Sequence, residues 1–213
     1  MAPEAQSRLY VVAEVGMASE SVGAVLEACN VAALLVAPSK DTSLDARTAR
    51  PLVELAQGKG IAALVTGDAQ LARTLRADGV HLPWSKEIVA RYGEAREILG
   101  GRFIVGADAG RSRDDAMTLG EAGADYVGFG IPAHVEDRET ARERRLELVA
   151  WWSEIFEVPC VAFNVEADED AGLLAQAGAD FVALRAPATA SINELSRWGE
   201  NVARALSAPE AAA

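Results

Sequence analysis

Short apolar runs rich in β-branched residues alternate along the chain with longer stretches that are charged and rich in alanine and leucine. The short runs lack a polar face, which is typical of strands covered by helices on both sides, whereas the longer stretches have helical spacing. The predicted strands are Leu9–Val15, Ala32–Ala37, Ala62–Thr66, Gly79–Leu82, Phe103–Ala107, Tyr126–Gly130, Cys160–Phe163 and Phe181–Leu184. The predicted helices are Ser19–Cys29, Leu44–Lys59, Ala69–Arg76, Lys86–Leu99, Ser112–Glu121, Glu139–Glu154, Asp168–Gln176 and Ile192–Leu206, with capping residues Ser43, Asp68, Ser85 and Ser112.

One short motif occurs three times, at Arg76–Val80, Gly123–Val127 and Gly178–Val182. In each copy a helix ends at a small residue, an aspartate makes the turn, and a buried strand begins at once. Eight strand–helix units with this repeat predict an α/β fold, a TIM (β/α)8 barrel in a single domain, in preference to an open doubly wound sheet. We expect the barrel over residues 8–206, between a flexible N-terminus at 1–7 and a flexible tail at 207–213.

The charge balance limits the class of partner. The chain has 213 residues, with 20 Lys and Arg against 32 Asp and Glu, and its formal net charge is −12. We expect no nucleic-acid partner, because such binding needs an excess of cations, and an anionic ligand must be held by a local basic pocket or by backbone N–H groups. No apolar segment approaches a membrane span, and Met1–Ser7 lacks the basic start and apolar stretch of a secretory signal, so we expect a cytoplasmic protein.

In a barrel of this kind the functional residues follow the C-terminal ends of the strands. These positions carry both cations and carboxylates, but no Ser-His-Asp spacing, HExxH, P-loop or GxGxxG names a reaction. His81, inside a strand, is interpreted as a packing residue, and Trp84 either stacks on a ligand or covers the barrel end. The charged stretch Glu136–Arg145 predicts a loop and the start of a solvated helix.

Four strings carry a resemblance to a known family: Asp78–Leu82 (DGVHL), Ile104–Gly106 (IVG), Ala122–Gly130 (AGADYVGFG) and Val158–Ala162 (VPCVA). In this order they resemble thiamine phosphate synthase and the related aminothiazole tautomerase over nearly the whole chain. The resemblance implies a transferase of thiamine biosynthesis that joins a pyrimidine methyl diphosphate to a thiazole phosphate. In that chemistry the diphosphate leaves with Mg²⁺ assistance and the thiazole nitrogen traps the pyrimidine carbocation.

Part of the family's diphosphate and metal site is retained in the resemblance. Lys40 matches a lysine that contacts diphosphate, with Ser39 beside it, and Asp68 matches a magnesium ligand, so we expect Lys40 and Asp68 to be catalytic. The second magnesium ligand of the family is replaced by Lys86, whose ammonium cannot bind Mg²⁺. The glutamine that contacts the pyrimidine is replaced by Val36.

The remaining family positions differ. Asp108 stands where the family has a serine, and acids in the loop Ile131–Arg138 replace a threonine- and lysine-containing diphosphate loop and would repel that group. The expected substrate-binding residues are Ser39, Trp84, Asp108, Gly130, His134, Asn164, Arg185 and Ala186. The altered motifs indicate a divergent paralogue.

Three hypotheses follow from these residues. The chain is a synthase-type transferase, a family member without synthase activity that binds a small phosphorylated ligand through Arg185 and Lys40, or a non-enzymatic partner-binding barrel. All three expect Lys40, Asp68, Asp108 and Arg185 to surround one cavity, and a homodimer is the default assembly for such enzymes.

Overall fold

A computed structural model describes residues 7–132, 134–165 and 168–207. The predicted flexible termini lie outside these residues, apart from Ser7 and Ser207. The strands are β1 (Arg8–Glu14), β2 (Val31–Ala37), β3 (Ala62–Thr66), β4 (Gly79–Leu82), β5 (Ile104–Asp108), β6 (Tyr126–Phe129), β7 (Cys160–Val165) and β8 (Phe181–Arg185). The helices are α1 (Ser19–Ala28), α2 (Ala46–Gly58), α3 (Ala69–Leu75), α4 (Ile88–Leu99), α5 (Arg113–Glu121), α6 (Arg138–Ile155), α7 (Asp168–Gln176) and α8 (Ile192–Leu206).

The strands form a closed parallel barrel in chain order. β1 pairs with β2 on one side and with β8 on the other, with Tyr10 opposite Ala183 in the closing pair. This closure confirms the TIM barrel and excludes the open sheet, which would leave two unpaired edges. None of the helices in the described residues is long and apolar enough to cross a bilayer.

The threefold motif has a common structural role. Each aspartate directly precedes an even-numbered strand, and its carboxylate accepts a hydrogen bond from a backbone N–H at the start of the preceding strand. At 2.8 Å each, the pairs are Asp78 with Ala63, Asp125 with Val105, and Asp180 with Cys160. The aspartates thus satisfy backbone donors at the bottom of the barrel and fix neighbouring strands in register.

Two of the four predicted caps are confirmed. Asp68 accepts from the Leu71 N–H at the start of α3, and Ser112 caps α5 in the same way. The prediction of Ser43 is wrong, because Asp45 caps α2 two residues later with a reciprocal bond to Thr48. The prediction of Ser85 is also wrong, since α4 begins after Glu87 without a side-chain cap.

Two apolar layers fill the fold, one between the barrel and the helices and one inside the barrel. The inner layer contains three aromatic residues, Tyr10, Tyr126 and Phe163, packed edge to face around Tyr10. Gly106 makes room for Tyr126, because a Cβ there would lie 1.9 Å from the ring. The aromatic layer closes the lower part of the barrel, so any ligand space must lie above it.

Candidate active site

A cavity of about 910 Å³ opens at the C-terminal ends of the strands. Buried residues of the barrel interior, including His81, Asp108 and Phe163, form its floor. The wall at the mouth is completed by two loop residues, Trp84 and His134, by Arg138 at the start of α6, and by Arg185 at the end of β8. The size is typical of a small-molecule site, and its place is where barrel enzymes carry their chemistry.

His81 points into the barrel and joins a buried hydrogen-bonded chain. Its Nδ1 lies 2.9 Å from the Tyr126 hydroxyl, which lies 3.0 Å from the Tyr10 hydroxyl. The imidazole also stacks on Phe163 with ring centroids 4.2 Å apart. Burial lowers the pKa of His81 to about 3, so the ring is neutral at physiological pH. The packing role predicted for His81 is present, but the same ring borders the cavity.

Asp108 is a carboxylate held by the backbone at the end of β5. Its Oδ1 accepts hydrogen bonds from Gly110 N–H at 2.7 Å and from Gly130 N–H at 2.9 Å. Burial raises the pKa of Asp108, while the two N–H donors and the charge of Arg145 oppose that rise. Gly130 itself must be glycine, because a Cβ would lie 2.2 Å from Asp108 Oδ2.

The end of β7 is shaped by Asn164, which has a left-handed backbone with φ of 58°. Asparagine is one of the few residues other than glycine that adopt such a conformation readily. Its Oδ1 accepts from the Ile131 N–H at 3.0 Å, which ties β7 to the loop after β6. Arg145 from α6 donates to the carbonyls of Phe163 and Asn164, at 2.7 Å and 2.9 Å, and is 2% exposed.

The first residue of α6 presents a cation to the cavity. Arg138 lines the wall, whereas Glu136 and Asp137 are exposed and lie outside it. Asp137 caps α6, and its hydrogen bonds with Thr140 hold the pKa of that carboxyl below its usual range. The expectation that acids in the loop after β6 would repel a diphosphate is therefore corrected, since helix capping takes Asp137 out of the site.

Two aromatic rings stand at the mouth of the cavity. Trp84 and His134 pack with ring centroids 5.1 Å apart at an angle of 39°. Trp84 also covers Gly110, where an added Cβ would lie 2.5 Å from the indole. The two rings offer an aromatic surface on which a heterocycle could stack above the polar floor.

Arg185 reaches the mouth from the end of β8 in an ion pair. Its Nη1 lies 2.6 Å from Glu14 Oε1, and the arginine side chain is 55% exposed. A guanidinium has five N–H donors in a fixed fork, so this contact holds the group in place while other donors stay available for a phosphate.

Five of the expected substrate or catalytic residues do not line the cavity: Ser39, Lys40, Asp68, Gly130 and Ala186. Gly130 still contributes its N–H to Asp108, whereas Ser39 and Ala186 serve a loop turn and the outer packing layer. Lys40 and Asp68 are exposed. The expectation of four charged side chains around one cavity is thus corrected: Asp108 and Arg185 line it, and Lys40 and Asp68 do not.

Val36, which replaces a glutamine of the family in the resemblance, faces away from the cavity. Val36 packs against the helix layer, and its neighbours Leu35 and Ala37 line the cavity instead. Val36, Leu35 and Ala37 are all apolar, so none of these three positions on β2 provides a polar contact for a pyrimidine.

The donor groups near β3 and β4 do not fit the two-carboxylate magnesium site that the resemblance implies. Asp68 uses Oδ1 to accept from Leu71 N–H at 2.9 Å, and exposed Lys86 replaces the second ligand. Within residues 7–132, 134–165 and 168–207, no group of three or more His, Cys, Asp or Glu side chains is arranged to hold a metal ion. We therefore assign no step to a protein-bound Mg²⁺.

Two arginines of the site were missed from the sequence. Arg145 was interpreted as part of a solvated helix, and that interpretation is wrong because its side chain is buried. Its place between Ala141 and Val149, four residues from each, puts it on the buried face of α6, so helical spacing contained the signal. Arg138 opens the same helix and carries no comparable pattern.

The geometry defines a class: a TIM barrel with a cavity at the C-terminal ends of its strands, lined at the mouth by aromatic rings and by Arg138 and Arg185. The sequence matches the family described as "Thiamine monophosphate synthase" over residues 9–187. Because that match covers most of the barrel, the chain belongs to this family.

Similar proteins agree with this assignment. A thiamine-phosphate synthase of Hyphomonas neptunium is 35% identical over 85% of this chain and 86% of its own length. One of Erythrobacter litoralis is 41% identical, in a match that covers 65% of each chain. Among solved structures, thiamine phosphate pyrophosphorylase from Pyrococcus furiosus superposes with a TM-score of 0.73 at 23% identity, covering 93% of this chain and 95% of that one. The structural likeness supports the fold.

Proposed function

We propose that this chain is a thiamine phosphate synthase-type transferase that condenses a pyrimidine methyl diphosphate with a thiazole phosphate. The observation that carries the proposal is the family match over residues 9–187, which contains the cavity residues from Val12 to Arg185. Such a reaction needs no covalent bond between protein and substrate, so the residues act by positioning both substrates and neutralising charge.

The cavity offers a role for each of its groups. Arg138 and Arg185 supply positive charge at the mouth for phosphate groups. Trp84 and His134 cover a ring and exclude water from a reactive carbocation. Lys40, exposed on the rim, stays a candidate for contact with the leaving diphosphate.

The test is incubation of the chain with both precursors, with and without Mg²⁺, followed by chromatography for thiamine phosphate. We expect product, and we expect Arg138→Gln and Arg185→Gln to raise KM for the phosphorylated substrates by about tenfold each. The rates of product formation in Lys40→Ala and Asp68→Ala show whether these two exposed residues contribute to the reaction. Absence of product with every precursor combination contradicts the proposal.

A second candidate is a family member that binds a phosphorylated ligand without synthase chemistry. It is favoured by the magnesium site, where Lys86 replaces one carboxylate and Asp68 caps a helix. This function predicts that thiazole phosphate raises the melting temperature while no product forms.

A further inference from the structure

The cavity floor has two polar side chains on neighbouring strands. His81 on β4 lies opposite Gly106 on β5, and Asp108 is two residues further along β5 on the same face. Strand geometry puts the two residues about 7 Å apart along the strands and about 5 Å across them. Both border the same space, with Asp108 nearer the mouth.

The direction of the hydrogen bonds between Tyr10, Tyr126 and His81 determines which ring nitrogen of His81 carries the hydrogen. If Nδ1 carried the proton and donated to Tyr126, then Tyr126 would donate to Tyr10, and the buried Tyr10 hydroxyl would have no acceptor among the described residues. In the opposite order Tyr10 donates to Tyr126 and Tyr126 donates to Nδ1, so every proton has an acceptor. A neutral imidazole then carries its hydrogen on Nε2.

Each of the two groups has one open polar atom. Nε2 of His81 has no partner among the described residues and is not enclosed by protein. The same holds for Asp108 Oδ2, since both backbone donors bind Oδ1. The floor therefore presents one hydrogen-bond donor, His81 Nε2–H, beside one carboxyl oxygen, Asp108 Oδ2.

We propose that Asp108 and His81 determine specificity for a planar nitrogen heterocycle whose exocyclic amino group neighbours a ring nitrogen. The amino group donates to Asp108 Oδ2, and the ring nitrogen accepts from His81 Nε2–H. Stacking surface comes from Phe163, which already packs on His81. The phosphate lies at the mouth instead, where Arg138 and Arg185 supply the positive charge.

The assignment rests on the proposed function only for the choice of a 4-aminopyrimidine as probe. Calorimetry compares 4-amino-2-methylpyrimidine with 4-hydroxy-2-methylpyrimidine, whose oxo tautomer exchanges donor and acceptor at the same edge. We expect the amino compound to bind the wild-type chain about 10- to 100-fold more tightly, because the wrong edge leaves the buried polar atoms of Asp108 and His81 without hydrogen-bond partners. Equal affinity, or no measurable binding of either compound, overturns the assignment.

Asp108→Asn tests the residue itself. The Gly110 and Gly130 N–H groups need an acceptor, so the amide oxygen takes the Oδ1 position and the NH₂ group faces the cavity. The variant therefore replaces an acceptor with a donor, and the preference should shift toward the oxo compound. Asp114→Asn, an equal charge change at an exposed position of α5, should leave the preference unchanged.

The two proposals fail separately. Turnover of both precursors without discrimination between the two pyrimidines removes this assignment and leaves the synthase proposal standing. If the wild type prefers the amino compound, Asp108→Asn shifts that preference, and no turnover of the precursors is seen, the assignment of Asp108 and His81 is supported and the synthase proposal is contradicted. If the variant does not fold, the wild-type comparison still decides the outcome.

Discussion

Replacement of Arg145 by alanine should destabilise the protein far more than the same change one residue earlier. Arg145 Nη1 donates to the buried carbonyl of Phe163 at 2.7 Å and to the partly buried carbonyl of Asn164 at 2.9 Å. A buried carbonyl left without its donor costs about 1–3 kcal/mol, and a partly buried one costs less. The lost guanidinium also leaves a void, so we expect a loss of about 3–5 kcal/mol in the free energy of unfolding. Arg145 also favours the charged form of Asp108, so the pKa of that carboxyl should rise further.

Arg144→Ala is the matched control. Arg144 lies in an exposed pair with Glu147 at 2.9 Å, and such a pair contributes about 0.5 kcal/mol or less. Urea unfolding followed by circular dichroism measures both variants, and pyrimidine binding shows whether the end of β7 has moved. Equal unfolding free energies for the two variants would refute the reasoning that the buried guanidinium supports this strand.

Three further predictions concern single positions. Asn164→Ala should be less stable than Asn164→Gly by about 1–2 kcal/mol, because both variants lose the hydrogen bond to Ile131 N–H but only alanine is strained at φ of 58°. Thermal unfolding of the two variants measures this difference, and equal midpoints contradict it. Asp125→Ala should cost about 2 kcal/mol in chemical denaturation, since the Val105 N–H loses its acceptor, and a loss below 0.5 kcal/mol would show that water replaces the carboxylate. His81 has a lower pKa folded than unfolded, so its contribution to stability is complete above about pH 6.5 and is lost as the pH falls toward about 3. The stability of the wild type should therefore fall more steeply over that window than that of His81→Gln, by at most about 1.4 kcal/mol per pH unit, and parallel curves contradict the assignment.

Local patterns in the sequence determined the order of strands and helices. Buried strands and amphipathic helices differ in period and length, so all eight units were predicted in their places, with ends displaced by a few residues. The three aspartate motifs were also visible, because their residues are contiguous. Their role was not, since each carboxylate bonds to a strand that ends well before it in the chain.

The site depended on contacts that only the closed barrel creates. Parallel strands covered on both sides are apolar at every position, so the sequence did not show that Leu35 faces the cavity and Val36 the helices. The same limit applied to Asp137, whose carboxylate caps a helix, and to Arg138 beside it, which lines the wall. The sequence therefore determined the scaffold through short-range periodicity. The tertiary structure decided which side chains share the cavity, because that depends on which alternate residues of each strand face the barrel interior and on the direction of each helix.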